Sequence, residues 1–219
     1  MPIVVGIDGT GPFFDTDYHK GKKFSFVSKI LMGGGEDKKY FRGPIGPGGG
    51  LGDAINGGLD FIMARRKSGN QDILLTGYSR GGLGVLVIAE KLRSRKIPVK
   101  AMMLFDAVDR HAFYDADSIP NNVEEVFHVR RHKNAGSRES FGNCGTRYTH
   151  PTKYTEKFYL CTHGGVGGGP WVKPPGKQNH DKIDEGFPDG LTKVSFVDEQ
   201  IVSMQVWSDI IPFLSKHKF

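Results

Sequence analysis

Apolar residues along this 219-residue chain fall into short runs separated by segments of helical character. The first run, Ile3–Ile7 (Ile-Val-Val-Gly-Ile), is β-rich and predicts a buried strand. Residues 24–31 are apolar enough to read as a second strand, and residues 43–52, rich in glycine and proline, read as a loop. Asp53 then suits the N-cap of a helix over residues 54–67. A strand at 73–76, a helix at 81–95 and a strand at Val99–Phe105 follow, with further strands near Val126 and Phe158. Between those two, residues 134–153 are polar and glycine-bearing, which predicts a loop. Residues 170–188, rich in Pro, Gly and Lys, predict another, long enough to be functional or mobile. Asp198 would cap a last helix over 199–214, where Ile201, Met204, Trp207, Ile210, Ile211 and Leu214 recur near helical spacing and read as core packing. Strands alternating with helices predict an α/β fold: a mainly parallel sheet with helices on both faces, a three-layer sandwich. The chain shows no internal repeat.

One junction in this pattern carries chemistry. Residues 74–82 read Leu-Leu-Thr-Gly-Tyr-Ser-Arg-Gly-Gly and place G-x-S-x-G between an apolar strand and a helix. A strand that turns sharply into a helix at a serine is a nucleophile elbow. The turn strains the serine backbone, so its neighbours must be small, and Gly77, Gly81 and Gly82 meet that need. Ser79 Oγ would stand above the sheet, with the Arg80 amide aimed at a developing oxyanion. The competing reading is an ordinary glycine turn in a chain that has 31 glycines.

A serine nucleophile needs a base, and the base an orienting acid. Functional groups in a parallel sheet gather just beyond the carboxyl ends of the strands. Asp106 holds that position after Val99–Phe105, and Asp109, three residues on, is the runner-up. A turn or helix cap is the bland alternative for Asp106.

Of eight histidines, His128 lies inside a strand and His132 inside the basic run 130–133. His19, His111, His150, His180 and His217 have polar, aromatic or terminal surroundings. His163 alone follows an apolar stretch and precedes a glycine-rich run, 164–169, so it is expected at a strand end on a flexible loop that reaches the serine. A structural histidine is the alternative. His-Gly-Gly-Gly forms the oxyanion hole of some lipases, but there it precedes the nucleophile, so here the base role fits better. The second oxyanion amide is expected from the loop after the first strand, Asp8-Gly9-Thr10-Gly11, at Gly9 or Thr10. An ordinary Asp-Gly turn explains that loop equally well.

These segments together resemble the α/β-hydrolase domain family that includes the catalytic domain of type VI secretion phospholipase effectors. Five segments carry the likeness: Ile7-Asp8-Gly9-Thr10, the glycine run 48–55, Gly77-Tyr78-Ser79-Arg80-Gly81-Gly82, Phe105-Asp106-Ala107-Val108, and His163-Gly164-Gly165-Val166-Gly167-Gly168-Gly169. The resemblance spans residues 3–169 and implies an α/β-hydrolase fold with a Ser79, Asp106, His163 triad. The chain departs from the family at Gly165, where members carry an aspartate that bears on how the histidine loop is held. It is also short, with little room for a lid or membrane-docking insertion, which disfavours long-chain lipid as substrate.

At 219 residues the chain reads as a single domain over 1–219. Hydrophobic content of 37% suits a soluble protein, as does a mean hydropathy of −0.37. No apolar run approaches the roughly 20 residues of a membrane span. The N-terminus enters a strand without a signal-like segment, which predicts a cytoplasmic protein, or one exported without a cleaved signal peptide. Cys144 and Cys161 make no disulfide framework; they could form one disulfide or stay reduced, and a reduced pair is the expectation. No zinc spacing and no phosphate-loop motif occur, so neither metal nor cofactor is expected. The net charge is +6, with basic runs at 20–23, 65–67, 93–100 and 130–133. These read as solvated faces that would also suit an anionic membrane surface; no nucleic-acid module is recognisable. The leading expectation is a serine hydrolase of carboxylic esters acting on a small-molecule or lipid ester. The alternative keeps the fold without activity, as a binding or scaffold protein.

Overall fold

Six parallel strands form the centre of the computed structural model, which describes residues 1–32, 34–46, 48–66, 71–109, 114 and 116–219. They are β1 (Ile3–Ile7), β2 (Lys38–Phe41), β3 (Ile73–Tyr78), β4 (Val99–Phe105), β5 (Val123–Arg131) and β6 (Lys153–Tyr159). Their order is β2-β1-β3-β4-β5-β6. Ile7 pairs with Gly77, and Tyr78 with Phe105, so the carboxyl ends of β1, β3 and β4 lie side by side. The chain winds outward in both directions from the β1–β3 pair, which makes that edge the topological switch point of the sheet.

Alternating side chains divide two cores between the faces. Ile3, Val5, Ile7, Ile73 and Leu75 pack on one side against α3 (Leu51–Arg65) and α4 (Arg80–Arg93). Val4, Leu74, Tyr78, Met103 and Phe105 pack on the other against α2 (Phe26–Leu31) and α6 (Phe196–His217). The result is the expected three-layer sandwich. Helix α1 (Asp15–Lys22) precedes α2, and the short α5 (His163–Val166) follows β6. An antiparallel hairpin, β7 (Lys182–Asp184) and β8 (Leu191–Ser195), seals a third small core of Ala135, Ile183, Val194 and Phe196. Cys144 and Cys161 are free and buried on opposite faces of the sheet. Among the described residues no helix is long and apolar enough to cross a membrane.

Several elements differ from the sequence reading. Residues 24–31 are not a strand: Ser25 Oγ accepts from the Ser28 amide at 3.0 Å and starts α2, whose Phe26, Val27, Ile30 and Leu31 are buried at helical spacing. The edge strand β2 (Lys-Lys-Tyr-Phe) escaped notice because its charged positions break the apolar signal. Helix α3 begins at Leu51 behind Gly50 at φ 87°, so Asp53 lies in its first turn, where a carboxylate complements the helix dipole, rather than at the cap. The expected end at Lys67 lies outside the described residues. Ser195, not Asp198, caps α6: its Oγ accepts from the Asp198 amide at 3.2 Å and donates to Asp198 Oδ2 at 2.6 Å. The predicted stripe on α6 is also shifted. Ile201, Met204 and Ile211 are 55%, 67% and 45% exposed, whereas Phe196, Glu199, Ser203, Val206, Ile210 and Phe213 face inward. The loop expected at 170–188 contains β7.

Candidate active site

Strand β3 runs into α4 through Ser79, whose backbone adopts φ 55° and ψ −128°. Such a conformation costs a non-glycine residue roughly 1–3 kcal/mol and persists only where the surroundings over-determine it. Here the Ser79 amide donates to Phe105 O at 3.0 Å, and Ser79 O accepts from the amides of Gly82 at 2.9 Å and Val108 at 3.2 Å. The crossing chains leave no space for side chains: a Cβ at Gly81 would overlap the carbonyls of Ile7 and Asp8, and one at Gly82 would sit 2.5 Å from Ala107 Cβ.

Asp106 follows β4 at φ 44° and is fully buried. Its Oδ2 accepts from His163 Nδ1 at 2.6 Å and from Arg131 Nη1, and the Arg131 amide approaches Oδ1 at 3.4 Å. His163 Nε2 lies 2.9 Å from Ser79 Oγ. With Nδ1–H donated to the carboxylate, Nε2 is left as the acceptor for the Ser79 hydroxyl, a tautomer assigned from the network. Three residues picked from sequence thus form one continuous hydrogen-bonded chain. Both ring nitrogens of His163 are engaged in it, and Asp109, half-buried three residues beyond Asp106, takes no place between them.

His163 does not ride a swinging loop. It opens α5, with Thr162 as N-cap accepting from the Gly165 amide at 3.1 Å. Its amide donates to Ser137 Oγ at 2.8 Å, and its carbonyl accepts from Tyr78 OH at 3.1 Å. The ring lies 5.1 Å from that of Tyr78 and meets Phe141 edge-on at 5.2 Å. The glycine run serves close packing instead of mobility: a Cβ at Gly167 would overlap the Tyr78 ring. Gly165 leaves no room for a side chain either. A Cβ there would sit 2.7 Å from Glu199 Oε1, and Glu199, reaching in from α6, accepts from the capping Thr162 hydroxyl. Ser203 on the same helix donates to Gly165 O at 2.7 Å.

The buried charges set the proton affinities. Burial pushes the Asp106 carboxyl up, but the hydrogen bond and charge of His163, with Arg131, outweigh it and hold the pKa at about 2. Burial pulls His163 below its ordinary value and outweighs the upward pull of Asp106; the charges of Arg131 and Lys22 add to the fall. An ion pair read from sequence alone would raise it, so the sign is reversed by desolvation. Burial likewise raises Glu199 to about 7.

The loop after β1 is braced by Asp8, a buried carboxylate that accepts from Ser25 Oγ, from Tyr40 OH at 2.9 Å and from the Gly9 amide at 2.7 Å. Tyr18 OH donates to Gly9 O at 2.6 Å. The Gly9 amide is therefore already spent on Asp8, and of the two expected donors Thr10 is the one that lines the cavity beside Ser79. That cavity measures about 200 Å³ and is walled by Thr10, Lys22, Arg80, Arg138 and Phe141 around Ser79 and His163. Larger surface cavities of about 820 and 720 Å³ contain none of Ser79, Asp106 and His163.

Sequence reasoning missed the supporting residues. Arg131 donates to Asp106 and to the carbonyls of Ser137, Arg138 and Phe141 at 2.8, 3.0 and 3.3 Å. His128, buried and lowered to about 4 chiefly by burial, accepts from the Ala107 amide at 3.2 Å. A basic run and a strand histidine were visible, but their partners are distant in sequence. His111 lies outside the described residues. Among the described residues no group of three or more His, Cys, Asp or Glu side chains is placed to hold a metal ion.

The parallel three-layer sheet with a strand–serine–helix turn at its switch point is an α/β-hydrolase fold. No protein-family profile matches the chain, and no curated protein matches it in sequence. Similar solved structures include the RedJ thioesterase of the prodiginine pathway in Streptomyces coelicolor, at 12% identity over 77% of this chain and 82% of that one, TM-score 0.45. The type II thioesterase BorB of the borrelidin cluster shows 10% identity over 74% and 85%, TM-score 0.44. A dienelactone hydrolase-like promiscuous phosphotriesterase from metagenomic libraries shows 13% identity over 99% and 86%, TM-score 0.47.

Proposed function

We propose that residues 1–219 act as one catalytic domain, a serine hydrolase of carboxylic esters or thioesters. The observation that carries this reading is the chain Ser79 Oγ–His163–Asp106, at 2.9 and 2.6 Å, built on a strained elbow at the mouth of a cavity. Ser79 Oγ attacks the acyl carbon while His163 Nε2 takes its proton. Asp106, ionised at any pH well above about 2, holds the imidazole by Nδ1 and stabilises the imidazolium that forms. The amides of Arg80 and Thr10 receive the oxyanion. His163 then returns the proton to the leaving alkoxide or thiolate. Water, deprotonated by the same nitrogen, attacks the acyl-serine, releases the carboxylic acid and restores Ser79.

The cavity of about 200 Å³ supports a short acyl group rather than a long lipid chain, since it is smaller than the roughly 300–1,000 Å³ of pockets that take drug-sized ligands. A phospholipase-like activity is the form that the family resemblance implies; the short-chain esterase form agrees better with this volume. The test is labelling by a fluorophosphonate probe, with the adduct mapped by mass spectrometry. Modification of Ser79 in the native protein, lost in His163→Ala, is expected. A native protein that stays unlabelled at Ser79 contradicts the assignment.

A further inference from the structure

The wall of the Ser79 cavity holds a lysine, Lys22. Lys22 ends α1 with its stem half-buried and its ammonium 5.0 Å from the centre of the Tyr78 ring, the ring that also backs His163. Among the described residues no carboxylate lies within salt-bridge distance of Lys22. Burial lowers its proton affinity, and the opposing pull comes from the carboxylate of Asp8, which lies beyond salt-bridge distance. Arg138, by contrast, is held by Glu185 and Asp189 at 3.7 and 3.4 Å and contributes little net charge.

A partly desolvated ammonium with no carboxylate in salt-bridge distance is costly in a resting protein and becomes more favourable when an anion pairs with it directly. We propose that the substrate is a small anionic ester or thioester, carrying a carboxylate or phosphate within a few bonds of the scissile carbonyl, and that Lys22 is the residue that selects it. This rests on the hydrolase reading above. The volume fits such a molecule, because about 200 Å³ corresponds to roughly seven water-sized volumes of about 30 Å³. The charge does two jobs there: it orients the ester so that its carbonyl meets Ser79, and it draws anionic ligands in at low ionic strength.

Binding and turnover separate the two layers of the claim. In Ser79→Ala protein, monomethyl succinate and methyl phosphate are titrated against methyl butyrate by calorimetry at low and at high salt. The anions are expected to bind at least tenfold tighter than the neutral ester, as a charge-assisted contact implies, with the advantage shrinking in salt. The stronger of the two anions identifies the headgroup chemistry. In protein with Ser79 intact, the kcat/KM ratio for 4-nitrophenyl hemisuccinate over 4-nitrophenyl butyrate should fall about tenfold or more in Lys22→Met and recover in Lys22→Arg. If neither anion binds better than methyl butyrate, or if the ratio is the same in Lys22→Met, the inference is overturned. Anion binding that depends on Lys22 in a protein whose Ser79 resists the fluorophosphonate would instead leave the anion site standing and overturn the hydrolase reading.

Discussion

Replacing Glu199 by Gln should stabilise the protein in a pH-dependent way. Glu199 is fully buried under α5, accepts from Thr162 Oγ1, and leaves Oε2 without a partner. Burial raises its pKa from 4.5 to about 7. A carboxyl with a raised folded-state pKa favours folding fully below its unfolded value, and that contribution is lost as pH climbs to the folded value, because the unfolded chain ionises first. At 1.36 kcal/mol per pKa unit the loss across this window is about 3 kcal/mol. Gln copies the neutral form and carries no such slope. The lead of Glu199→Gln over the native protein should therefore grow by about 3 kcal/mol between pH 4 and pH 8, flattening above pH 7. For a chain of this size that corresponds to a relative rise in Tm of roughly 6–12 °C. Urea unfolding followed by fluorescence across that range measures it directly. A difference between the two proteins that stays constant with pH would show that Glu199 ionises in the fold as it does in the unfolded chain.

Three further outcomes follow from the same site. Asp106→Asn should cost roughly 10³–10⁴ in kcat, because the amide favours the wrong His163 tautomer, while Asp109→Asn should cost little; steady-state kinetics that rank them the other way would make Asp109 the acid. Ester turnover should rise with pH with a midpoint below the ordinary histidine value near 6.5, since burial lowers His163 and only its neutral form accepts the Ser79 proton; a midpoint above 6.5 in a kcat/KM profile would mean that the Asp106 charge dominates instead. Arg131→Met should destabilise by about 3–5 kcal/mol in urea unfolding, because it strips a buried carboxylate and three carbonyls of one donor, and Arg131→Lys should recover part of that; a neutral Arg131→Met would remove Arg131 as the anchor of Asp106.

What the sequence made legible was local. Ile3–Ile7, the Gly77–Gly82 turn and Val99–Phe105 each carry their structural signal within a few residues, so the sheet, the elbow and the position of Asp106 could be read directly. Residues 24–31 were ambiguous because a short apolar run suits a buried strand and a buried helix equally; the deciding feature was Ser25 as a cap. The face of α6 was misread because two of its inward positions, Glu199 and Ser203, are polar and serve the backbone and cap of α5 instead of a hydrophobic core. The mobility expected of the glycine run after His163 failed for a related reason: those glycines make room for Tyr78 and Phe26. Arg131, Lys22 and the spent amide of Gly9 were beyond reach, since each acquires its meaning from partners that only the folded sheet brings near.

The central claim is that Ser79 is the nucleophile of an ester hydrolase. It is tested most directly by kcat/KM for a short-chain 4-nitrophenyl ester, measured on the native protein and on Ser79→Ala after circular dichroism has shown that both are folded. A loss of at least about 10⁴ with an unchanged fold is the predicted result. Turnover in Ser79→Ala within a few-fold of the native rate would contradict the account.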